Sequence, residues 1–69
     1  MQNYKVTYNQ FGQVITTWFD SAPRAKGYAK RVARLGYEPS VMEYPEGEYG
    51  KGREVWNFSL ATFKFFQGH

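Results

Sequence analysis

The chain has no cysteine, and its single histidine, His69, is the last residue. This excludes a disulfide staple and a thiolate metal site, and it leaves histidine ligation without a second imidazole. No stretch of about 18 apolar residues occurs, so no helical membrane span is expected. The opening segment "MQNYKVTYNQ" lacks a basic stretch followed by an apolar run, which argues against a signal peptide. Catalytic furniture is scarce as well. Nucleophilic catalysis needs a base held by an orienting group, and no cysteine or internal histidine is there to serve. The reading from these absences is a cytoplasmic, non-enzymatic chain with no cofactor and no metal.

Negative charge is missing from one half. Residues 1–37 hold six Lys and Arg against the single Asp20, whereas residues 38–69 hold three against five Glu. The overall charge is +3. A dipolar molecule follows, its positive pole centred on the stretch "PRAKGYAKRVARLGY". All five charged residues there are positive: Arg24, Lys26, Lys30, Arg31 and Arg34.

What the chain does have is aromatic mass, with six Tyr, six Phe and two Trp in 69 residues. A chain this short is a single domain, 1–69, with a thin core. Each ring can bury roughly 150–250 Å², so a few fill such a core and others are expected at the surface.

The pattern along the chain predicts an α+β fold of order β-β-α-β-β. "YKVTY" alternates, with Tyr4, Val6 and Tyr8 on one side and Lys5 and Thr7 on the other. "NQFGQ" supplies the turn formers Asn9 and Gly12, and "VITTWF" is β-branched and aromatic. Strands over about 3–9 and 13–19 form a hairpin. Asp20 or Ser21 caps a helix over about 22–35, with Pro23 in its first turn and Gly36 as its stop. At about 100° per residue, Ala22, Ala25, Tyr28, Ala29, Val32, Ala33 and Leu35 share one half of the wheel, and the five cations share the other. Gly27 weakens the helix and marks a place of close backbone approach. A third strand over about 38–44 begins at Pro39, the glycine-rich segment 45–52 is a loop, and a fourth strand covers about 53–63. Its phase slips near Ala61–Thr62, as a bulge or a departing tail 64–69 would produce. The expected packing is an antiparallel sheet of about four strands with one amphipathic helix across one face, and with Trp18 and Trp56 facing the core.

Several motifs are weak. Glu43, Glu46, Glu48 and Glu54 cluster around the glycine loop, but an exposed loop does not desolvate a carboxylate pair into an acid and a base. "GEYGKG" fits neither the Walker nor the dinucleotide pattern. "KGYA" matches the first four positions of the RNP1 motif of RNA-recognition domains and then departs, with Lys30 and Arg31 where an aromatic and a valine belong.

The basic helix face is the feature with functional content. Its ordinary account is a solvated surface whose Lys and Arg stems cover apolar area. Beyond that, it suits electrostatic docking on an acidic protein, or phosphate contacts with nucleic acid. The first expectation is a binding protein that docks on a partner or host protein. Arg24, Lys26, Lys30, Arg31 and Arg34 steer it, and Tyr49, Phe65 and Phe66 make apolar contact. Nucleic-acid binding by the same helix is the alternative. Phe63, Phe65 and Phe66 also offer a route to a homodimer. In layout alone, a tiny cysteine-free α+β chain with one basic helix resembles small accessory proteins of phages and mobile elements, which implies binding and blocking of a host protein.

Overall fold

A computed structural model describes residues 3–47, 49–59 and 64–66. The described residues form five strands and one helix: β1 (Tyr4–Gln10), β2 (Gln13–Phe19), α1 (Ala22–Arg34), β3 (Ser40–Glu43), β4 (Arg53–Ser59) and β5 (Lys64–Phe66). The strands form one antiparallel sheet in the order β2-β1-β3-β4-β5, and α1 crosses one face.

Alternation along each strand decides which side chains meet the helix. Val6 on β1 pairs with Val41 on β3, which pairs with Trp56 on β4. This row crosses the centre of the sheet and lies buried beneath Ala25 and Ala29 of α1. Two alanines let the helix backbone come close to the strands, and that is how a 69-residue chain excludes water from a core this thin. Tyr4, Phe19, Tyr28 and Val55 close its margins.

Local chemistry sets the helix ends. Ser21 is the N-cap, its Oγ accepting from the Arg24 N–H at 3.4 Å. At the other end Gly36 adopts φ +99°, and the Gly36 and Tyr37 N–H groups return to the Ala33 and Val32 carbonyls. This double bond pattern is a Schellman cap, which requires the left-handed residue that glycine supplies. The β1–β2 hairpin closes over two residues, Phe11 and Gly12, both with positive φ. β3 starts just after Pro39, whose carbonyl accepts from the Phe58 N–H at 3.1 Å.

The structure departs from the sequence reading in several places. The sheet gains a fifth strand: β4 is described over Arg53–Ser59, and Lys64–Phe66, part of the expected tail, returns as β5 beside it. The opposite parity of Phe65 follows from that reversal, since Phe65 sits opposite Phe58 and so shares its face. The expected bulge at Ala61–Thr62, like Phe63, lies outside the described residues. A register shift occurs on β4, where Val41 pairs with Trp56 but Met42 pairs with Glu54. The residue left over, Val55, turns toward the core.

Trp18 does not face the core. It is the cross-strand partner of Lys5, so it stands on the sheet face opposite α1. There its ring lies 5.4 Å from that of Tyr44, with Lys5 Nζ 4.9 Å from the Tyr44 ring centre and 5.7 Å from that of Trp18. Leu35, placed by the helical wheel on the packed half, is 75% exposed, because it is the C-cap residue and the chain leaves the helix there. Gly27 does not mark a close approach within this chain: a Cβ built on it meets nothing within 4 Å.

Candidate docking site

The five cations of α1 surround a buried stripe of Ala25, Ala29, Val32 and Ala33. Arg24, Lys30, Arg31 and Arg34 are exposed, and Lys26 is half-buried. Among the described residues none of the five shares an ion pair with a carboxylate; the ion pair there joins Arg53 to Glu43. The first helical turn carries no acid, while Arg31 and Arg34 sit in the last turn, where the helix dipole favours positive charge.

Two glutamates, Glu43 and Glu54, are held in the sheet rather than beside these cations. Glu43 accepts from the Tyr4 hydroxyl at 2.9 Å and from Arg53 Nε at 2.8 Å. Those two bonds, Tyr4 first, keep its carboxyl below the usual carboxylate range. Glu54 accepts from Ser40 Oγ at 2.8 Å and from the Asn57 amide. Glu43 and Glu54 thus serve as hydrogen-bond acceptors within the sheet.

A single 13-residue helix does not cover a five-stranded sheet, and a groove opens along each of its sides. The groove toward β4 and β5 encloses about 500 Å³ and is lined by Lys30, Ala33, Arg34, Phe58 and Phe65. The Phe58 and Phe65 rings meet at 4.8 Å, and Phe65 stacks on Trp56 at 4.5 Å. The groove toward β2 encloses about 340 Å³ and is lined by Phe19, Arg24, Gly27, Tyr28 and Arg31, with the Phe19 and Tyr28 rings 5.3 Å apart. Each groove thus has an aromatic pair and two cations. Helical geometry accounts for the cation pairing: Lys30 and Arg34, at i and i+4, share one flank, and Arg24 and Arg31, at i and i+7, share the other. Gly27 keeps the second groove open, since any side chain there would project into it.

Of the eight predicted contact residues, Phe65 joins Lys30 and Arg34 in one groove, and Arg24 and Arg31 join in the other. Phe66 is next to Phe65 on a strand, so it stands on the opposite sheet face, away from the helix. Tyr49 is 97% exposed and borders the glycine loop with Pro45, Glu46, Gly50 and Lys51, apart from the α1 cations. Sequence reasoning missed the groove aromatics Phe19, Tyr28 and Phe58, for which no local signal distinguishes groove lining from core. It also missed Phe11, 93% exposed at the hairpin tip, and Val14, 70% exposed. The two-residue spacing of "QFGQ" was the signal for Phe11, because it puts a phenylalanine where a tight turn favours asparagine.

Among the described residues, no helix is long and apolar enough to cross a membrane, and no group of three or more His, Asp or Glu could hold a metal ion. Compared with protein-family models, curated proteins and solved structures, the chain matches none.

Proposed function

We propose that this chain is a binding domain without catalytic activity, and that it docks α1 and its two flanking grooves on an acidic surface of a partner protein. The observation that carries this reading is the set of α1 cations, unpaired with any carboxylate among the described residues and placed beside two aromatic grooves. Carboxylates of the partner would meet Arg24, Lys30, Arg31 and Arg34. Its apolar side chains would enter against Phe58 and Phe65 on one flank, and Phe19 and Tyr28 on the other. Charge at the rim speeds encounter and sets orientation, while aromatic contact slows release. Occupying an acidic site on a larger protein would block it, as expected of a small accessory inhibitor.

A single-stranded nucleic acid is the second reading, favoured by the same adjacency: bases stack on aromatic rings while phosphates meet Lys and Arg. The modest net charge of +3, with five glutamates outside the helix, ranks it below a protein partner.

The deciding experiment is a pull-down from nuclease-treated lysate with wild-type chain and with the double variant Arg31→Glu, Arg34→Glu, run beside a low-salt mobility-shift titration. One dominant protein retained by the wild type and lost by the variant supports the protein reading. No retained protein, together with a salt-sensitive shift of single-stranded nucleic acid that the variant abolishes, replaces it with the second. Absence of both overturns the docking role of α1.

A further inference from the structure

β2 is an outer strand of the sheet, and it carries none of the devices that keep such edges from pairing. It is seven residues long and pairs with β1 in unbroken register from Gln13 to Phe19, without a bulge. "QVITTWF" contains no proline and no charge, and the uncharged run extends from Val6 through Phe19. The opposite edge differs: β5 has three residues, one of them Lys64. A long, neutral, β-branched edge is a template for another strand.

We propose that β2 pairs antiparallel with β2 of a second copy of this chain, making a two-fold symmetric dimer with one continuous ten-stranded sheet. Charge selects the occupant. The acidic partner that suits α1 finds no cation on β2, whereas two copies of a neutral strand meet without opposing like charges. The sequence is also self-complementary about Thr16. A dyad there sets Thr16 against Thr16, Ile15 against Thr17, Val14 against Trp18 and Gln13 against Phe19. Opposed residues point to the same sheet face, so Ile15 and Thr17 stay on the helix side and Val14 and Trp18 on the other. This register gives the exposed Val14 an aromatic partner, the kind of cross-strand pair that stabilises sheets.

One strand pair of this length buries less than the roughly 800 Å² per partner of a standard interface, so the dissociation constant falls on the order of micromolar. The test is sedimentation velocity with light scattering on the full chain, from about 5 µM to about 1 mM to span that range. The wild type is expected to rise from 8.1 kDa toward twice that mass with concentration. Thr16→Val, which keeps the edge neutral, is expected to match it. Thr16→Lys sets two like charges face to face at the dyad and is expected to weaken association at least about tenfold. Near-UV circular dichroism checks that the variant stays folded; if it does not, Thr16→Glu, which also sets two like charges face to face at the dyad, decides instead. A wild type that stays at 8.1 kDa to the highest concentration overturns the proposal, as does open-ended assembly beyond the dimer. So does undiminished dimerisation of a folded variant charged at position 16, which would move the interface to the Phe65 and Phe66 end. None of these outcomes depends on the partner of α1.

Discussion

Tyr4 on β1 and Glu43 on β3 face each other directly across the ladder, and the Tyr4 hydroxyl donates to Glu43 Oε2 over 2.9 Å. Arg53, opposite Glu43 on β4, reaches Oε1 from the other side, with Nη2 at 2.7 Å. One carboxylate ties three strands together, and it is thereby withdrawn from the cations of α1.

That relationship makes stability depend on pH at both ends. The Tyr4 bond, then Arg53, holds the Glu43 carboxyl low, and the same bond raises the Tyr4 phenol above its ordinary 10.0. The contribution of Glu43 is complete above the ordinary carboxylate range and is lost as pH falls through its lower folded value. That of Tyr4 is complete below the ordinary phenol range and is lost as pH rises through its raised folded value. Thermal melts across about pH 3–11 should show both limbs, since the ordinary Glu and Tyr values lie near 4.3 and 10. Glu43→Gln should flatten both; parallel curves for variant and wild type would remove the pair from the account.

Phe11 occupies the first central position of the β1–β2 turn at φ +51°, with Gly12 following at φ +84°. Positive φ at both positions is the requirement of a type I′ turn, where Asn-Gly is the favoured pair. A phenylalanine there is strained by roughly 1–2 kcal/mol, and a side chain 93% exposed to solvent has little packing to offset it. Phe11→Asn should therefore raise stability by about 1 kcal/mol in urea titration, with an unchanged m-value. A destabilised variant would mean that Phe11 is held by contacts of its own.

Gly27 lies inside α1 with open space around the position a Cβ would take. Helix propensity then acts without steric opposition. Gly27→Ala should stabilise by about 1 kcal/mol, raising Tm by roughly 4–8 °C for a domain of this size. A lower Tm would show that the groove toward β2 is narrower than described.

Gly52 meets the opposite case. A Cβ there would collide with the Tyr44 ring, which is itself held against Trp18 and Lys5. Gly52→Ala should cost about 1–3 kcal/mol by overpacking and should change the near-UV signal of Trp18. A silent substitution would mean that the ring swings aside freely.

The parts of the fold legible in the sequence are those written in local periodicity. The alternation of Tyr4, Val6 and Tyr8 located β1, and Ser21, Pro23 and Gly36 bracketed α1 to within a residue. The cations were legible too, because helical spacing alone separates Arg24, Lys30, Arg31 and Arg34 from the alanine stripe. Trp18 was misplaced for a physical reason: a strand pattern gives two faces but does not say which one the helix will cover. β5 was hidden because "FKFF" reads equally as the end of β4 or as a returning strand.

By itself, then, the sequence determined a hairpin, a one-signed amphipathic helix, and the absence of cysteine and internal histidine. Each depends on neighbours a few residues apart or on composition. The tertiary structure decided which glutamates were drawn into the sheet, and which aromatics flank the helix. It also left β2 as a bare neutral edge. Those outcomes depend on strand order and register, through contacts between residues distant in the chain, such as Tyr4 with Glu43 and Trp18 with Tyr44. No local pattern encodes them.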